Sequence, residues 1–134
     1  MPHVVVHYTA NLEPEARIDT LCKSLAEVIV AQRDGAGGRL FPIGGTRVLA
    51  YPAAHFAVAD GAPDRAFVYL NVRIAAGRER ALVAAAGEAM MALVRSHFAE
   101  TFAGRAVGIT LQIDEGAPVF DAKHSSLHPL FAGK

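Results

Sequence analysis

The chain has 134 residues, 52% of them hydrophobic and 19% charged, a balance that suits a single folded domain over 1–134 and excludes a disordered polar chain. Thirteen basic and 13 acidic side chains cancel, so no net field exists to hold nucleic acid or an anionic membrane surface. Charge recognition must therefore be local, and the single cysteine, Cys22, excludes an intrachain disulfide and suits a reducing cytoplasm.

The N-terminus has no cationic lead with a following apolar region and cleavage site, so secretion has no support. Met1-Pro2 opens an apolar run, with Val4 to Tyr8 reading as a strand buried on both faces. Two readings of Pro2 stand side by side. A proline at a strand start loses little, because its missing donor is not needed there. Alternatively, removal of Met1 leaves a free secondary amine, rigid and able to take and give protons, whereas an amide nitrogen can do neither.

Asn11 to Pro14 reads as a turn and helix start, with Pro14 in the first turn and Glu13 and Glu15 at its positive end. Ile18, Leu21, Leu25 and Ile29 then recur at helical spacing and predict a helix of about 15 to 20 residues. Gly35-Ala36-Gly37-Gly38 closes it. Arg47 to Tyr51 predicts a second strand, and His55 to Val58 a brief strand or hairpin arm. Asp60 to Asp64 is a turn, and Ala66 to Ile74 is the strongest strand of the chain. A long helix follows, carrying Leu82, Ala86, Met90, Leu93 and His97 or Phe98 on one side and stopping near Gly104. Its apolar stretch, Ala81 to Val94, is interrupted by Gly87 and Glu88 and is too short to span a bilayer. Val107 to Ile113 alternates as a last strand, and Asp121 to Lys134 is a polar tail with Leu127, Leu130 and Phe131 set into it.

The two halves share one plan, strand-helix-strand. Crossovers of this length imply parallel pairing within each half. Side by side, the two β-α-β units make one α+β domain: a four-stranded mixed sheet with two helices on one face. With Val, Leu and Ile on both faces, the uncovered side would be a large apolar patch, and self-association is expected. The tail around Phe131 would be a strap for an adjacent subunit.

Arg47 and Arg78 stand where strands meet glycine-permitted turns, the positions at which α/β sheets place ligands. An arginine there can hold a carboxylate in a two-pronged contact; the bland alternative is a solvated loop residue. No G-x-G-x-x-G, G-K-[ST] or G-x-S-x-G occurs in a fitting context. His124 and His128 stand four apart but lack a third metal ligand nearby, and His97 reads as a partly buried helix residue. His3 or Tyr8 would line a pocket near Pro2.

Met1-Pro2-His3, Phe41-Pro42-Ile43-Gly44-Gly45-Thr46-Arg47, Ala59-Asp60-Gly61 and Ala66-Phe67-Val68 fall in an order that resembles one family. Ala76-Gly77-Arg78, Ser96-His97-Phe98 and Leu127-His128-Pro129-Leu130-Phe131 continue it. The family is that of the 5-carboxymethyl-2-hydroxymuconate Delta-isomerases of the tautomerase superfamily, and the likeness runs nearly the full length. A longer connection between the first helix and Phe41 departs from it. The resemblance implies a cytoplasmic homotrimer of tautomerase-like β-α-β repeats, with active sites near subunit boundaries. It implies Pro2 as the catalytic acid/base, Arg47 and Arg78 as substrate-binding residues for a di- or tricarboxylate dienol, and no metal or organic cofactor. The implied reaction turns a 2-hydroxydienoate into its conjugated 2-oxo isomer, in homoprotocatechuate breakdown. A non-catalytic trimeric relative that binds a small carboxylate or a protein is the alternative, and whether Met1 is removed separates the two.

Overall fold

In the computed structural model, which describes residues 1–134, strand β1 (His3–Thr9) leads through a 3-10 turn (Ala10–Leu12) to helix α1 (Ile18–Ala31). A second 3-10 turn (Ile43–Gly45) precedes β2 (Arg47–Ala53). The second half runs β3 (Ala66–Ala75), α2 (Arg80–His97), a short α3 (Ala99–Gly104) and β4 (Val107–Gly116), with a 3-10 turn (His128–Phe131) in the tail. The sheet order is β2-β1-β3-β4, parallel within each half and antiparallel between β1 and β3 at its centre. This is the mixed sheet of two β-α-β repeats that the strand-helix-strand plan predicts.

Period-two alternation decides which side the helices cover. Val4, Val6 and Tyr8 of β1 and Ala66, Val68, Leu70, Val72 and Ile74 of β3 are buried beneath Leu21, Leu25 and Ile29 of α1 and Ala86, Met90 and Val94 of α2. Phe98 completes the α2 stripe, where Val94 rather than Leu93 takes the buried position. On β1, His3 and His7 are exposed and Val5 half-buried, so the strand is buried on one face rather than both.

The opposite face is not the aliphatic patch expected above. The register places Leu49 and Tyr51 of β2 beside Val5 and His7 of β1, and Tyr69 and Asn71 of β3 beside Thr110 and Gln112 of β4. The Tyr69 hydroxyl donates to Gln112 Oε1 (2.8 Å), Asn71 Nδ2 donates to Asp114 Oδ2 (2.7 Å), and the His7 and Tyr51 rings lie 6.0 Å apart. Alternation has sent most of the branched aliphatics to the helix side and left a mixed surface on which Val5 and Leu49 stand among polar and aromatic side chains.

Three boundaries differ from expectation. Helix α1 begins at Ile18, not around Pro14: Leu12 and Ala16 are buried, and their segment is held by turn bonds Ala16 N–H to Leu12 O and Arg17 N–H to Pro14 O. Arg17, in the left-handed region at φ 50, stands at the helix start. Strand β2 runs on through Pro52 at the sheet edge, where a proline removes no needed ladder bond. His55 to Val58 forms no strand and belongs to the loop closed by Arg65 on Asp60 (3.0 Å). No helix is long and apolar enough to cross a membrane.

Candidate functional site

Three chain segments meet at one end of the sheet. Parallel pairing sets His3 opposite Arg47, and antiparallel pairing sets the same His3 opposite Arg73. Pro2 lies buried just before β1, and the Arg47 N–H donates to its carbonyl (3.1 Å), so the chain start is stitched to the start of β2. The Ile43–Gly45 turn closes over this point. A β-carbon at Gly45 would lie 2.9 Å from Met1 Cγ and 3.1 Å from Pro42 Cγ, so a larger residue there would push the Met1 side chain aside.

Arg47 Nη1 donates to the Gly45 carbonyl (3.3 Å), which turns its guanidinium back toward the same turn. Arg78 leaves the end of β3 through Gly77, whose φ of +114 strains any side chain. Its Nε donates to Leu40 O (3.0 Å), its Nη1 donates to Ala75 O (3.2 Å), and its guanidinium lies 4.8 Å from the Phe41 ring centroid. Arg78 also borders a hollow of about 320 Å³ with Asp34, Arg39 and Glu79. Two backbone carbonyls and one aromatic face fix an otherwise mobile cation.

These charges converge on the chain terminus. The terminal ammonium, one residue outward from the Pro2 nitrogen, is held below the ordinary α-amino value of 8.0 by burial first, then by Arg78, Lys123 and Arg47. His3 is likewise held below 6.5, by burial, Arg47 and the terminal ammonium, with Asp121 pulling the other way. Burial disfavours the charged form of an amine, and neighbouring cations repel it further. The place therefore favours a neutral amine with arginines beside it, an arrangement able to take a proton and to steady an oxyanion.

Between Met1, His3, Arg73, Gly116, Asp121 and Lys123 lies a cavity of about 240 Å³. Sequence reasoning brought His3 toward this end of the sheet but missed Arg73, Asp121 and Lys123. The strand register through His3 identifies Arg73, whereas Lys123 arrives on an irregular tail with no periodic signal. Tyr8 is at the opposite end of β1, on the core face, where its hydroxyl bonds to Glu13 Oε1 (2.5 Å). His97 is half-buried with Nε2 2.5 Å from Ala16 O, tying α2 to the segment before α1. Phe131 is half-buried in a tail turn whose His128 packs on Gly44 of the same chain.

The family model described as 5-carboxymethyl-2-hydroxymuconate isomerase matches residues 2–131. A 5-carboxymethyl-2-hydroxymuconate Delta-isomerase of Escherichia coli is 29% identical over 98% of this chain and 99% of its own. A crystal structure of a 5-carboxymethyl-2-hydroxymuconate delta-isomerase superposes with a TM-score of 0.93 at 43% identity, covering 100% of this chain and 95% of that one. A fused 4-OT wild-type symmetric trimer superposes with a TM-score of 0.59 at 26% identity, over 98% of this chain and 99% of the other.

Proposed function

The chain belongs to the 5-carboxymethyl-2-hydroxymuconate isomerase family of the tautomerase superfamily, and on that premise we propose how its residues carry the isomerisation. The enzyme converts 5-carboxymethyl-2-hydroxymuconate, or a closely similar 2-hydroxydienoate, to the conjugated 2-oxo isomer. Met1 is removed and the Pro2 nitrogen becomes the terminal amine. In its neutral form it accepts the proton of the C2 hydroxyl; that O–H bond breaks, and the pair reforms as C2=O. The double bonds shift to C3=C4, and the proton is returned to C5 as a new C–H bond. Nothing is oxidised or reduced, and one group does both transfers, as general acid/base catalysis near neutral pH requires.

Arg47 and Arg78 hold substrate carboxylate and stabilise the charge that develops on the C2 oxygen. The observation that carries this reading is geometric: Pro2 is buried at the chain start, Arg47 N–H donates to its carbonyl (3.1 Å), and the Arg47 and Arg78 side chains are fixed on backbone carbonyls at the same end of the sheet. General acid/base transfer supplies about 10²- to 10⁴-fold in rate, and oriented guanidinium groups must supply the rest. The working form is a homotrimer in the cytoplasm. Support comes from the likeness to a symmetric trimer, from the uncovered sheet face bearing Leu49 and Tyr51, each 49% exposed, and from a lone unpaired thiol at Cys22.

The test pairs an intact mass with an ultraviolet ketonisation assay on one preparation. Protein beginning at Pro2 should isomerise 2-hydroxymuconates and phenylenolpyruvate, and protein retaining Met1 should not. Inactivity of material proven to start at Pro2 removes the proposal.

A further inference from the structure

Cations crowd one end of this neutral molecule: Arg47, Arg78, Arg73 and Lys123 gather where β1 begins and β3 ends. Like charges held together cost Coulomb energy unless an anion offsets them. The Arg47 and Arg78 side chains are both tied to backbone carbonyls, but the Arg73 guanidinium makes no hydrogen bond or ion pair within the chain. Asp114, its cross-strand neighbour, accepts from Asn71 instead (2.7 Å). The Arg73 guanidinium runs across the end of β4, over Gly116, where a β-carbon would have to displace it. Lys123 meets it from the tail side, paired only with Asp121, and both members of that pair are about half exposed. These two cations line the 240 Å³ cavity beside Met1 and His3, and neither Arg47 nor Arg78 does.

We propose that this cavity is a separate carboxylate subsite, in which Lys123, with Arg73 opposite, binds the carboxymethyl arm of the substrate. The inference rests on the isomerase reading above and adds to it. A 5-carboxymethyl-2-hydroxymuconate carries three carboxylates, a 2-hydroxymuconate two and phenylenolpyruvate one. Two arginines can address two anionic groups; a third needs another cation, set apart from them. An ammonium on a tail suits a flexible side arm, because it is a point charge without the fixed fork of a guanidinium. Lys123 lines the same cavity as Met1 and His3, the residues on either side of Pro2, which sets its charge beside the chain start. Lys123 is thus a specificity-determining residue, while proton transfer belongs to Pro2.

The experiment compares Lys123→Met and Lys123→Arg with the parent on 5-carboxymethyl-2-hydroxymuconate and on phenylenolpyruvate, at a pH on the alkaline plateau. Lys123→Met should lose about ten- to a hundredfold in kcat/KM on the tricarboxylate, mainly through KM, as expected for one lost charge-assisted contact. Phenylenolpyruvate turnover should stay within about twofold, and Lys123→Arg should recover most of the tricarboxylate activity. Equal losses on both substrates, or no loss on either, would overturn the subsite. Arg73→Met adds a second arm with the same expected split. A parent protein inactive on both substrates would instead sink the isomerase mechanism, so the two failures are distinguishable.

Discussion

His128 sits directly on Gly44: a β-carbon there would meet both His128 Cα and His128 Nδ1 at 3.0 Å. That contact fastens the tail turn His128–Phe131 to the Ile43–Gly45 turn, and so to the loop that closes over the chain start. The tail therefore delivers Lys123 because a glycine further back lets it lie down.

Gly44→Ala should lift the tail. The nearest atom is backbone, which cannot swing aside, and overpacking of this kind costs about 1–3 kcal/mol. The variant should be cut faster by trypsin after Lys123 than the parent is, with only a small fall in thermal midpoint. Unchanged cleavage would mean the docking does not hold in solution.

Arg78 should separate charge from geometry. Arg78→Met removes a cation that disfavours a charged amine at the chain terminus, so the acid limb of kcat/KM should move to higher pH, with activity down about 10²- to 10³-fold. Arg78→Lys keeps the charge but loses the fork that reaches Leu40 O and Ala75 O. Its limb should stay near the parent's while its rate falls. A pH profile on each variant reads the difference.

His3 should be neutral at pH 7, because burial, Arg47 and the terminal ammonium all hold it below 6.5. The folded state resists a proton that the unfolded chain accepts, so the contribution of His3 to stability is present above 6.5 and lost as pH falls through its folded midpoint. Followed by NMR, that midpoint should drop further in Asp121→Asn, since Asp121 raises it, and climb in Arg47→Met.

Tyr8 offers an alkaline counterpart. Burial first, and then the bond to Glu13, push its phenol up to about 12. Its stabilisation is complete below pH 10 and is lost as pH rises toward the folded value, because the unfolded phenol ionises first. Tyr8→Phe should cost about 1 kcal/mol at pH 7, read by urea denaturation. It should also flatten the alkaline decline and leave isomerase activity intact, since the residue is at the far end of β1.

Much of the fold was legible in the chain itself, because local physics writes it there. The three- and four-residue spacing of Ile18, Leu21, Leu25 and Ile29 marks a helix, and the apolar run of Ala66 to Ile74 marks a strand. The likeness that pointed to Pro2, Arg47 and Arg78 was also linear, carried by short motifs around each residue. What the sequence could not tell was which face of β1 is covered, since Val4, Val5 and Val6 read alike until the register to β2 and β3 turns Val5 outward. Nor could it set Arg73 beside His3, or bring Lys123 to the chain start from more than a hundred residues away. Those neighbours are made by antiparallel pairing and by the fit of His128 on Gly44, and such long-range juxtapositions leave no period in the sequence to read.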